Sequence, residues 1–186
     1  VRDYAAASLA LDPAEEARIR GEAAAWLERH GHLEEALQAQ LAAGDAEAVA
    51  RMLHERGGSL LAAGAVDTVG RAVDLLPPAG RGPELERLAG EVRQIRGDWE
   101  GATDCYERAG AGLARRSCDL AWRLGLIHHL RGRLDEALAV YQSADEAAGE
   151  PRDRALLLAW RGSLQWLRGD AAAAVVRAVG VETGGS

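Results

Sequence analysis

Residues 31–37 read GHLEEAL, and the same phrase, a glycine followed five residues later by alanine, returns as GDWEGAT at 97–103, GRLDEAL at 132–138 and GDAAAAV at 169–175. A weaker copy sets Gly64 before Val69. The five glycines stand 33, 33, 35 and 37 residues apart. In two copies the phrase runs on to an aromatic residue and a further alanine, Tyr106 with Ala109 and Tyr141 with Ala144. A period this constant marks a chain built from stacked copies of one small unit.

Each copy reads as two antiparallel helices around the glycine, which ends the first helix in the left-handed conformation. The spacing is that of tetratricopeptide helix pairs, about 34 residues, and predicts an all-α, right-handed superhelical solenoid of about five such pairs. Seven residues before three of the turns lie Gly90, Gly125 and Gly162, inside otherwise helical stretches. Glycine there costs about 1 kcal/mol relative to alanine, so its recurrence at one phase predicts close helix crossings, with Ala36, Ala102, Ala137 and Ala174 as the small residues of the second helices. The expected helices span 1–9, 14–30, 33–43, 46–63, 66–76, 84–96, 98–109, 114–131, 134–148, 153–168 and 170–179. Pro77 and Pro78 stop one of them and open the longest internal link, to Gly82. Residues 1–13 are read as a lead-in from a preceding domain, 14–180 as the repeat domain and 181–186 as a frayed tail.

Composition narrows the functions open to the chain. Arginine supplies all 22 positive charges against 29 acidic residues, a formal charge of −7. The absence of lysine excludes a P-loop, a Schiff-base enzyme and a lysine general base within this stretch. The arginines are scattered among acids rather than clustered, so no nucleic-acid surface is expected. The longest apolar runs, such as LLAAGAV at 60–66, are far short of a membrane span. Two cysteines, Cys105 and Cys118, fit a reducing cytoplasm better than a disulfide scaffold. The chain opens on Val1 rather than Met and is read as a piece of a longer protein.

No catalytic or metal-binding constellation emerges. His30 with His32 and His128 with His129 lack zinc-ligand spacing; His128 is expected inside the helix pair and His129 on its exposed side. The acidic pairs Glu34 with Glu35 and Asp135 with Glu136 sit in first turns, where they offset the helix dipole. Cys105 and Cys118 read as small packing residues, and the serines stand in no nucleophile elbow. The chain is therefore read as a non-enzyme that needs no cofactor of its own.

Solenoids of this kind bind partners on the face made by their first helices. Counting back 13, 10, 6 and 3 residues from successive turn glycines gives Glu84, Arg87, Glu91 and Gln94, then Asp119, Trp122, Leu126 and His129, then Leu156, Ala159, Ser163 and Trp166. Charges beside aromatic rings suit a groove for a small polar inducer or a peptide, and Arg87, Glu91, Trp122, His129 and Trp166 are its predicted lining. The alternative is that Trp122 and Trp166 only fill repeat interfaces.

Residues 15–78 carry an AAxWL helix, HGxxEEAL, AAGD opening the next helix, and a GxxLLxxG helix followed by one ending in LPP. This text resembles the start of the sensor solenoid in MalT-like, LuxR-type large ATP-binding transcriptional regulators of the STAND class. The remainder, with VRQIRGDWEGA and LAWRLGLIHHLRGRLDEA, is similar to related regulators that carry a bacterial transcriptional activation domain. The resemblance implies a cytoplasmic sensor in which inducer binding activates the full-length protein, with ATP held by a nucleotide-binding domain outside this stretch and with self-association of the whole. The reading from a different class is a general tetratricopeptide adaptor for protein partners.

Overall fold

A chain rich in alanine and leucine folds as helices, and each first helix must be stopped before its partner can turn back. In the computed structural model, which describes residues 12–147 and 149–169, the five turn glycines stop it alike. Gly31, Gly64, Gly97, Gly132 and Gly169 have φ of 81°, 90°, 80°, 73° and 83°. That conformation costs any residue with a Cβ about 1–2 kcal/mol and costs glycine nothing comparable.

Among the described residues the helices are α1 (Pro13–Arg29), α2 (Leu33–Ala43), α3 (Ala46–Ala62), α4 (Val66–Leu75), α5 (Pro83–Ile95), α6 (Trp99–Ala109), α7 (Cys118–Leu130), α8 (Leu134–Gln142) and α9 (Pro151–Leu167). They contain no strand, only an isolated bridge between Arg116 and Ala144. The fold is thus the expected all-helical, tetratricopeptide-like repeat. The expected helices 1–9 and 170–179, Ala174 and the tail 181–186 lie outside the described residues. Three helices, α1, α5 and α9, open on proline, whose missing N–H is not needed there. Others are capped by side chains: Asp45 accepts from the Ala48 amide at 3.0 Å and Asp98 from that of Gly101 at 2.9 Å.

The chain divides into two compact units, Val1–Arg96 and Gly97–Ser186. In the first, Leu37 of α2, Val49, Met52, Leu53 and Leu60 of α3, Val69 of α4 and Leu88 of α5 are buried. Arg81 fastens the proline link: its Nε donates to the Leu76 carbonyl at 2.9 Å and its Nη2 to that of Val73 at 2.8 Å, satisfying acceptors that the end of α4 leaves open.

In the second unit the periodic small residues meet the periodic aromatics. Ala102, Ala137, Tyr106 and Tyr141 are fully buried. A Cβ on Gly125 would lie 2.1 Å from Cε1 of Tyr141, so the glycine is what admits the ring. Gly57 occupies the same phase in the first unit, where a Cβ would lie 2.5 Å from Cδ2 of Leu88. At Gly162 no such crossing is found among the described residues.

A ladder of ion pairs runs at the same period. The arginine just before a turn glycine reaches the acid three residues after the preceding one: Arg96 to Asp67 at 3.2 Å, Arg131 to Glu100 at 3.3 Å, and Arg168 to Asp135. The acids are mostly exposed, so each rung is worth little energy; what it adds is register. Where the series would place an arginine at position 63 there is Ala63, and Glu34 accepts instead from the Thr68 hydroxyl at 2.7 Å.

Two expected helices are shorter than the sequence indicates. The helix expected over 114–131 begins at Cys118, because the Ser117 side chain caps it by accepting from the Leu120 amide at 3.3 Å. The helix expected over 134–148 ends at Gln142, because the chain beyond it is bound by the segment before α7: the Asp145 amide donates to the Arg116 carbonyl at 2.8 Å and Arg115 Nη2 to that of Ala144 at 3.0 Å. Ala144 remains buried without being helical.

The aromatic crossing can be tested against an open glycine. Gly125→Ala is expected to lower stability by about 1–3 kcal/mol through overpacking against Tyr141. Gly58→Ala, in α3 with nothing within 4 Å of its Cβ, is expected to raise it by up to about 1 kcal/mol through helix propensity. Urea denaturation of both variants checks the pair, and equal effects would contradict the crossing.

Candidate functional site

The predicted groove residues fall on three first helices: Arg87 and Glu91 on α5 in the first unit, Trp122 and His129 on α7 and Trp166 on α9 in the second. Arg87 is held within its own helix. Its Nη2 reaches Glu84 at 2.5 Å and its Nη1 reaches Glu91 at 3.0 Å. A guanidinium engaged in this way presents less of its fork to a ligand than the sequence reading supposed.

In the second unit α7 and α9 pack side by side, and the aromatic groups meet across them. Trp122 Nε1 donates to Asp153 Oδ1 at 3.2 Å. The Arg123 guanidinium lies 4.4 Å from the Trp122 ring centre and is itself fixed to Asp119 at 2.8 Å. His129 is not on an exposed side as expected. Its ring meets Trp160 edge to face at 5.8 Å, and its Nδ1 is buried without a partner. Trp122 is half-buried, and Trp166 is 66% exposed. Two more large apolar side chains at the ends of these helices stand in water, Leu130 and Leu167.

Asp153, Trp160 and Arg123 complete this arrangement and were not among the predicted lining. Arg123 follows directly from Trp122 and Asp119, since side chains four apart share a helix face. Asp153 has no such signal, because its contact depends on how two repeats stack. Beneath this surface Arg161 is buried at a position where its counterparts are Ala89 and Leu124, and it reaches Glu146 at 2.5 Å.

The second unit also holds a cavity of about 330 Å³, lined by Glu100, Thr103, Asp104, Ile127, His128, Arg131 and Arg133. Burial, helped by the charge of Arg133, lowers the pKa of His128 below the ordinary 6.5, and Glu136 only partly offsets this. Among the described residues no three His, Cys, Asp or Glu side chains gather to hold a metal ion, and no helix is long and apolar enough to cross a membrane.

Comparison with solved structures gives the same fold. The chain superposes on MamA 41-end from Desulfovibrio magneticus RS-1 with a TM-score of 0.63 at 18% identity, over 90% of this chain and 94% of that one. For MamA of AMB-1 the TM-score is 0.64 at 16% identity, over 91% and 93% of the two chains. These are tetratricopeptide-like helical-repeat proteins. No family model matches the chain, and no curated protein matches its sequence.

These findings overturn the resemblance to MalT-like, LuxR-type regulators and to their relatives with an activation domain. The reason is visible in the residues that carried it. Gly31 serves the turn at φ 81°, and Ala36 and Leu37 are fully buried where α2 packs. Such text reports helix-pair packing, which many lineages share. The expectation of ATP elsewhere in the protein rested on that resemblance alone.

The His128 shift has a consequence for stability. Unfolded chains take up a proton at this side chain near pH 6.5, whereas the folded chain does so only at lower pH. The contribution is therefore complete above pH 6.5 and is lost as pH falls. Between about pH 7.5 and about pH 5.5 the melting temperature of the wild type is expected to fall more than that of His128→Gln. Parallel slopes would contradict the assignment.

Proposed function

We propose that the chain is a protein-interaction module, an adaptor that holds an extended segment of a protein partner on the first helices of its repeats. The observation that carries this reading is the exposed Trp166, with Leu167 next to it at the end of α9 and Leu130 exposed at the end of α7. Large apolar groups left in water are what a partner covers. Tryptophan contributes strongly when so covered, because it removes much apolar area at little cost in side-chain freedom. The polar groups at Trp122, Arg123 and Asp119, are already mutually bound and set direction more than affinity.

The charge of −7 and the scattered arginines favour a protein over a nucleic acid. Within the first unit Arg87 and Glu91 add a polar surface whose partner would have to compete with the existing pairs to Glu84 and to each other.

The test is selection of peptides from a displayed random library on the full chain, followed by fluorescence anisotropy with the best of them. Trp166→Ala and Trp122→Ala, each first shown to melt as a folded protein, are expected to weaken binding about tenfold or more. Selection of no peptide, or unchanged affinity in both folded variants, would contradict the reading.

A further inference from the structure

The 330 Å³ cavity shares none of its lining with Trp122, His129 or Trp166. It lies between α6, the last turns of α7 and the turn that leads into α8. An exchange within the repeat accounts for it. In the first unit Arg96 folds back over Gly70, where a Cβ would lie 2.3 Å from its Nη2, and so occupies the corresponding space. One repeat later the residue six places after the turn glycine is Thr103, whose hydroxyl donates to the Trp99 carbonyl at 2.8 Å. Arg131 cannot lie across a side chain as Arg96 lies across a glycine. It reaches Glu100 at 3.3 Å, and the space beside it stays open.

The lining is unbalanced in a particular way. Among the described residues neither Arg133 nor Asp104 has an ion-pair partner, and Nδ1 of His128 is buried without a hydrogen bond. Ile127 gives the cavity an apolar wall. A purely anionic ligand drawn to Arg133 would face Asp104 and Glu100, and a purely cationic one drawn to those acids would face Arg133 and Arg131. Only a molecule that carries both charges answers both sides. The volume is at the small end of ligand sites.

We propose that this cavity binds a small zwitterion of the amino-acid class. The carboxylate is placed on Arg133, the ammonium group between Asp104 and Glu100, and the side chain against Ile127. This site is independent of the peptide surface on α7 and α9, so one can fail without the other.

The experiment titrates the full chain with the proteinogenic L-amino acids one at a time, read by ¹H–¹⁵N spectra and by calorimetry. The tightest is then compared with its two analogues that each lack one charge; for leucine these are 4-methylpentanoate and 3-methylbutylamine. The expected result is saturable binding of at least one amino acid, weakened about tenfold or more on loss of either charge. Arg133→Gln and Asp104→Asn, both at the surface, are each expected to weaken binding by about tenfold, while Trp166→Ala leaves it unchanged. Absence of binding by every amino acid would overturn the proposal. So would equal affinity for a singly charged analogue, undiminished affinity in both cavity variants, or binding only of a peptide whose charges lie in its side chains.

Discussion

The first helices α1, α3 and α7 each give way within three residues to the helix that turns back, and the backbone permits that only where φ is positive. The five glycines at Gly31, Gly64, Gly97, Gly132 and Gly169 supply it. Because the reversal is so tight, the residue five places later is forced against the preceding helix. Ala36, Val69 and Ala137 there are all fully buried. The turn thus sets the side-chain sizes that follow it, and with them the distance between helices. In the second unit that distance leaves room for a tyrosine ring only because Gly125 has no side chain to meet Tyr141.

Register between repeats comes from weaker contacts laid over this packing. The rungs Arg96 to Asp67, Arg131 to Glu100 and Arg168 to Asp135 tie the end of one first helix to the start of the preceding second helix. Their exposure makes them poor sources of stability, yet they bias which neighbouring residues are left to solvent. The cavity beside Arg131 follows from one such bias, the exchange of Gly70 for Thr103. Tryptophans and histidines on α7 and α9 are positioned by the same stacking, through Trp122 to Asp153 and His129 to Trp160.

What could be read in the sequence was what one residue type alone can do. Glycine at constant spacing gave the turns, and the small residue after it gave the second helices. Helix ends were readable where the stop is local, as at Pro77 and Pro78, and were missed at Gln142, where the Arg116 carbonyl from another segment binds the chain. The ion ladder stood in the sequence at fixed phase, but recognising it requires knowing which repeats stack. Of the candidate groove, the positions on first helices were legible. The engagement of Arg87 by Glu84 and Glu91 could also have been read from spacings of three and four residues, whereas Asp153 could not. The apparent kinship with transcriptional regulators drew on residues that any such helix pair needs.

The central claim, that left-handed turns dictate the repeat, is tested most directly at Gly132. No neighbouring atom lies within 4 Å of where its Cβ would be, so a substitution there reports the backbone alone. Joining synthetic segments allows Gly132→L-Ala and Gly132→D-Ala to be compared by thermal denaturation. The account predicts a loss of about 1–2 kcal/mol for the L residue and no loss, or a gain, for the D residue, which favours positive φ. An L-alanine variant as stable as the D-alanine one would contradict it.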